Sequence, residues 1–128
     1  MMSEQEAFAV APLALAYLGD AVWELAVRES LIAKGERQPN QLHQQALGYV
    51  KAVNQADRIR RMSERLTERE MSIFKRGRNA KSHSMPKSAR MADYRHSTGL
   101  EALLGYLYLT GDQARMEELL RMLLAEPE

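Results

Sequence analysis

The chain of 128 residues contains no cysteine, so a disulfide framework, a thiolate metal centre and a thiol nucleophile are all excluded. It also has no long apolar run. The longest stretch, residues 7–18, is interrupted by Pro12, followed by Gly19 and Asp20, and preceded by Glu4 and Glu6 where a signal peptide would carry basic residues. A membrane span or a secretory leader does not have this form, and a cytoplasmic protein without a membrane partner is the expectation. Neither GxGxxG nor a P-loop occurs, and His43, His83 and His96 lack the mutual spacing of a metal site.

What is present is the composition of a folded domain, with 45% apolar and 27% charged residues. At this length the chain forms one domain, residues 1–128, with residues 1–11 expected as a flexible N-terminal arm. Nearly every periodic segment reads as helix, and none as strand. From Pro12 to about Ala33, Leu15, Leu18, Val22, Leu25 and Ala26 recur at three-and-four spacing, and Gly35 follows as a stop. Pro39 and Asn40 open a second helix, Asn54 is a candidate cap for a third, and Thr67 with Glu70 makes a capping-box pattern for a fourth ending near Gly77. Residues 78–89 are rich in Ser, Asn, Lys and Pro and read as an exposed loop. A long helix resumes through STGLEALLGYLYL to Gly111, and Asp112 caps a last one. The expected fold is an all-α bundle of six or seven helices.

Charge is unevenly placed. Residues 75–95 hold seven basic side chains (Lys75, Arg76, Arg78, Lys81, Lys87, Arg90 and Arg95) against the single acid Asp93, while the whole chain carries only +1. Clustered cations of this kind suit a polyanionic partner, although a solvated loop gives the same pattern.

Two helices that are apolar nearly all round each carry an acid within the apolar run: Asp20 in LALAYLGDAVWELAV and Glu101 in GLEALLGYLYL. Burying a carboxylate without a partner is costly. Two such groups on facing helices converge on a hard divalent cation such as Mg²⁺; the alternative is a pair of rim acids, each held by an arginine. Glu24 lies one turn after Asp20 and is either a further carboxylate at the same place or an ion-pair partner of Arg28.

These residues carry a resemblance. LAYLGDAVWELAV resembles the signature helix of ribonuclease III catalytic domains, and EALLGYLYL resembles the second metal-binding helix of that family. FKRGRNAKS, followed by YRHSTGLEALLGYLYL, is similar in order and spacing to the bacterial Mini-ribonuclease III branch, which lacks a double-stranded-RNA-binding domain. The resemblance implies an endonuclease that hydrolyses double-stranded RNA with Mg²⁺; Mn²⁺, which binds oxygen and nitrogen ligands more tightly, is the expected substitute. It also implies a homodimer that matures the precursor of large-subunit (23S) ribosomal RNA, with ribosomal proteins as candidate partners on the substrate. Asp20 and Glu101 would be the catalytic metal ligands, with Glu24 and Thr98 in supporting places. Lys75, Arg76, Arg78, Asn79, Lys81 and Lys87 would contact RNA across its shallow minor groove.

Two acidic positions of the wider family are not acidic here: Ala16 stands four residues before Asp20 and Thr98 three before Glu101. The resting site is therefore expected to hold metal weakly. Tyr17, Val22 and Trp23 of the signature helix are the expected dimer contact, with core packing as the alternative. A non-catalytic RNA-binding or ribosome-assembly protein of the same fold, and a helical protein-interaction adaptor, are the rival readings.

Overall fold

A computed structural model describes residues 1–81 and 90–126. Its helices are α1 (Glu4–Phe8), α2 (Pro12–Ala33), α3 (Pro39–Val50), α4 (Ala52–Met62), α5 (Glu68–Asn79), α6 (Met91–Thr110) and α7 (Gln113–Leu124), with a 3-10 turn at Ser63–Arg65. The fold is all-α, with no strand among the described residues. None of these helices is long and apolar enough to cross a membrane.

The arrangement follows from α6. Leu100 and every residue from Ala102 to Leu107 are buried, and a helix apolar on all sides must be surrounded. α1, α2, α4, α5 and α7 all pack against it. The core joins Leu103 and Leu104 to Trp23, Val27 and Leu31 of α2, Ile59 of α4, Ile73 and Phe74 of α5, and Leu119 and Leu123 of α7. Each large side chain buried this way contributes about 1.5–3 kcal/mol.

Several local signals act as the sequence predicts. Thr67 Oγ1 accepts from the Glu70 amide at 3.1 Å while Glu70 Oε1 accepts from the Thr67 amide at 2.9 Å, closing the capping box of α5. Gly111, at φ 74°, ends α6 in the left-handed region. Asp112 then caps α7 by accepting from the Arg115 amide at 3.3 Å.

Other expectations are corrected. Residues 1–11 are not a free arm: Ser3 and Glu6 form a capping box, Ala7 is fully buried, and the Arg76 guanidinium lies over the Phe8 ring at 4.3 Å. Asn54 does not cap α4, which begins at Ala52. Its Nδ2 donates instead to the Leu47 carbonyl at 3.2 Å, because α3 and α4 abut through Lys51 and leave the last carbonyls of α3 in need of donors. α5 continues past Gly77 to Asn79, so Arg78 and Asn79 are helical. Gly77 serves packing: a Cβ there would stand 2.7 Å from Ala102 Cβ. α6 starts at Met91, well before STGL, its first turn held by an Arg60–Asp93 ion pair at 2.8 Å. Ala80 and Lys81 follow α5 as the predicted loop has them, and its residues 82–89, with Lys87, lie outside the described residues.

Candidate active site

The site is built where α2 crosses α6. A Cβ on Gly105 would lie 2.1 Å from the Leu15 carbonyl oxygen, so the two backbones touch without intervening side chains. Gly19, one turn after Leu15, meets α6 at Glu101 in the same way. Two helices this close bring the residues flanking their contact together, and Asp20 follows Gly19 directly. The carboxyl groups of Asp20 and Glu101 consequently share a hydrogen bond.

That proximity has an electrostatic cost. Burial, reinforced by the charge of Asp20 and more weakly by that of Glu24, pushes the Glu101 carboxyl from its ordinary 4.5 up to about 8. Around neutral pH, Glu101 therefore keeps its proton and donates it to Asp20. Among the described residues no lysine or arginine forms a salt bridge with Asp20, Glu24 or Glu101, so the arginine-paired alternative and the Glu24–Arg28 pair are both absent there. A cation is the group that would replace the shared proton. Two oxygen donors on the wall of a helix bundle suit a hard divalent ion that keeps several of its waters. No group of three or more potential ligands is assembled among the described residues.

The neighbouring positions differ in what they offer. Ala16 is buried. Thr98 is buried too, and its hydroxyl donates to the Tyr94 carbonyl at 3.0 Å, which leaves only lone pairs to face a neighbour. Gln55 of α4 carries no signal in the sequence. It is 2% exposed, accepts from Ser97 Oγ at 2.5 Å, donates to the Val50 carbonyl at 3.0 Å, and lies near enough to Glu101 to favour its charged form, against the larger upward push of burial. A lone glutamine in a polar stretch has no telling spacing, so only the packing of α4 on α6 finds it.

The basic residues divide into two groups. Lys75, Asn79 and Lys81 are exposed and Arg78 half-buried at the C-terminal end of α5, where cations also suit the helix dipole. Lys75 and Arg78 share a cleft with Arg60 and His96, two residues that the sequence does not mark for this place. Arg76 points elsewhere: its guanidinium donates to the Phe8 carbonyl at 2.8 Å and ties α1 down. Of the expected dimer contacts, Tyr17 is 86% exposed and Val22 half-buried. Trp23 is fully buried, its Nε1 donating to the Tyr49 carbonyl at 3.1 Å, so for that residue core packing is the correct reading.

Comparison with known proteins gives this arrangement a family. Residues 13–112 match the ribonuclease III domain. The chain is 52% identical over 110 residues to Mini-ribonuclease 3 of Symbiobacterium thermophilum, covering 86% of this chain and 85% of that one. It is 50% identical over 114 residues to Mini-ribonuclease 3 of Brevibacillus brevis, covering 89% and 85%. A crystal structure of a Fusobacterium nucleatum protein superposes with a TM-score of 0.79 at 29% identity, covering 91% of this chain and 93% of the other. Both glycine-tight acids and the run from α5 into α6 fall within the matched region, and the chain belongs to the ribonuclease III family, in its Mini-ribonuclease III branch, as an endoribonuclease.

Proposed function

We propose that this endoribonuclease hydrolyses double-stranded RNA with Mg²⁺, or Mn²⁺ in its place, held by Asp20 and Glu101. The observation that carries the reading is the pairing of exposed Asp20 with half-buried Glu101, forced together by backbone contact and, among the described residues, in no salt bridge with a lysine or arginine. A divalent ion there supplies Lewis acidity, making water a better nucleophile and offsetting charge that gathers on the phosphate. Asp20 and Glu101 fix its position relative to the strand. Water adds across the P–O3′ bond, leaving a 5′-phosphate and a 3′-hydroxyl.

Lys75, Arg78, Asn79 and Lys81, with Lys87 by sequence, bind phosphates and 2′-hydroxyls of the A-form duplex, whose wide minor groove admits them. Glu24 adds negative charge beside the pair. The working form is a homodimer, since a duplex has two strands to cut and one domain offers one site. Supporting this, Leu13, Tyr17, Leu25 and Ile32 are exposed on α2, and an apolar groove of 480 Å³ opens between α2 and α3. By family resemblance the substrate is the precursor of 23S ribosomal RNA in the cytoplasm, presented with ribosomal proteins.

The test is incubation of wild-type protein with duplex RNA, single-stranded RNA and duplex DNA, each with Mg²⁺ or with chelator. Cleavage confined to duplex RNA with Mg²⁺ is expected. Cleavage that persists in chelator overturns the metal assignment, and equal cutting of single strands overturns the substrate. Mapping the ends produced from a large-subunit ribosomal RNA precursor tests the physiological substrate.

A further inference from the structure

We infer that Gln55 is a positioning residue for the reaction: its carboxamide, oriented by Ser97 and anchored to the end of α3, holds the Glu101 side chain in its ligating place. The inference rests on the functional reading above. Its starting point is a polar chain sealed inside the bundle. Gln55 is 2% exposed and Ser97 7% exposed, so neither group exchanges partners with water.

The carboxamide has no freedom to flip. The Val50 carbonyl can only accept, which puts the amide nitrogen on its side and turns Oε1 to Ser97, whose Oγ donates to it at 2.5 Å. One of the amide hydrogens goes to the Val50 carbonyl at 3.0 Å, and the second is left for the Glu101 carboxyl, whose charged form the carboxamide favours. Ser97 lies one turn before Glu101 on α6, so both members of the chain reach the same face of that helix. An N–H donor on one carboxylate oxygen restrains the side-chain torsions and leaves the other oxygen free to turn towards Asp20 and an ion. With neither Ala16 nor Thr98 acidic, Gln55 is, among the described residues, a group placed to keep Glu101 from swinging away.

Any residue buried at a helix junction contributes to stability, so the decisive readouts are metal affinity and turnover. Gln55→Met keeps the approximate length and removes both hydrogen-bonding functions. Ser97→Ala removes only the orienting hydroxyl. Asn54→Ala is the control, since it deletes a neighbouring cap on the same α3 terminus, the bond to the Leu47 carbonyl, without reaching Glu101. All are compared at a temperature where each is folded.

Mn²⁺ titration of the RNA-free protein, followed by electron paramagnetic resonance of the free ion, is expected to show affinity reduced about 10- to 100-fold in Gln55→Met. A smaller loss is expected in Ser97→Ala and none in Asn54→Ala. With duplex RNA, kcat falls in the same order while KM stays within about threefold. Adding Ser97→Ala to Gln55→Met costs nothing further, because Ser97 acts through Gln55. If Gln55→Met binds Mn²⁺ and turns over as Asn54→Ala does, Gln55 merely joins α3 to α4 and the inference fails. If wild type does not cleave duplex RNA at all, the functional reading fails separately, and the Mn²⁺ titration still decides the role of Gln55.

Discussion

Gly19 faces the Glu101 carbonyl so closely that a Cβ at position 19 would lie 1.6 Å from its oxygen. Glycine inside a helix ordinarily weakens it by roughly 0.5–1 kcal/mol relative to alanine, yet here no larger residue fits. Gly19→Ala is expected to push α2 off α6. Overpacking of ordinary cores costs about 1–3 kcal/mol, and a backbone obstacle places this case at the upper end or beyond. Thermal melts should show a large fall in Tm, with cleavage abolished even where the variant is folded. Gly48→Ala in α3, where an added Cβ meets nothing within 4 Å, should instead stabilise by about 0.4–1 kcal/mol.

Asp20→Asn and Glu101→Gln should each lower cleavage by more than about a hundredfold, or ~2.7 kcal/mol of transition-state stabilisation, while duplex binding persists. Gel shifts in Ca²⁺ and single-turnover cleavage in Mg²⁺ separate the two effects. Retention of a higher rate by either variant would remove it from the ligand set.

The same carboxyl predicts a pH signature of stability. Without metal, the folded state holds the Glu101 proton more tightly than the unfolded chain does, because its value is about 8 against the ordinary 4.5. Its contribution to stability is therefore complete below the unfolded value and declines as pH rises through the folded one. The stability difference between wild type and Glu101→Gln, from urea titrations in chelator, should change across this window and flatten when millimolar Mn²⁺ is added.

Lys75→Ala and Arg78→Ala should weaken duplex binding and reduce the log–log salt slope by about one unit for each phosphate no longer bound, with little change in Tm. Arg76→Ala should behave oppositely. It removes the bond to the Phe8 carbonyl and the stacking on Phe8, so Tm falls while the salt slope stays. A salt slope that responds to Arg76 alone would reverse the division of these residues.

Tyr17→Glu tests the dimer. With 86% of its surface exposed, Tyr17 owes the isolated fold little. Sedimentation should shift from dimer to monomer at micromolar concentration, and cleavage of duplex should drop with it. A fully active monomer would defeat the dimeric reading.

Much of this architecture was legible because its signals are local. The spacing of Leu15, Leu18 and Val22 marks α2, and the Thr67–Glu70 box starts α5. The isolation of Asp20 and Glu101 inside apolar runs exposed both acids without reference to packing. What escaped depends on contacts distant in sequence. Gly77 looks like a helix stop until Ala102 is seen against it, and Asn54 looks like a cap for its own helix while serving the previous one. Trp23 resembles a surface aromatic until Tyr49 accepts its indole N–H. Gln55 was invisible because its meaning lies wholly in Ser97, Val50 and Glu101.

The glycines on α6 also bear on how the molecule moves. Gly105 is clamped against Leu15 of α2, and Gly99 against α5, where a Cβ would come 2.7 Å from the Phe74 carbonyl oxygen. Two backbone clamps on different sides act as a keyway: α6 can neither roll about its axis nor slide along it without collision. The spacing of the carboxylates is thereby insulated from breathing elsewhere in the bundle. Admission of the duplex and departure of its fragments must be accommodated by side chains, while the central helix stays still.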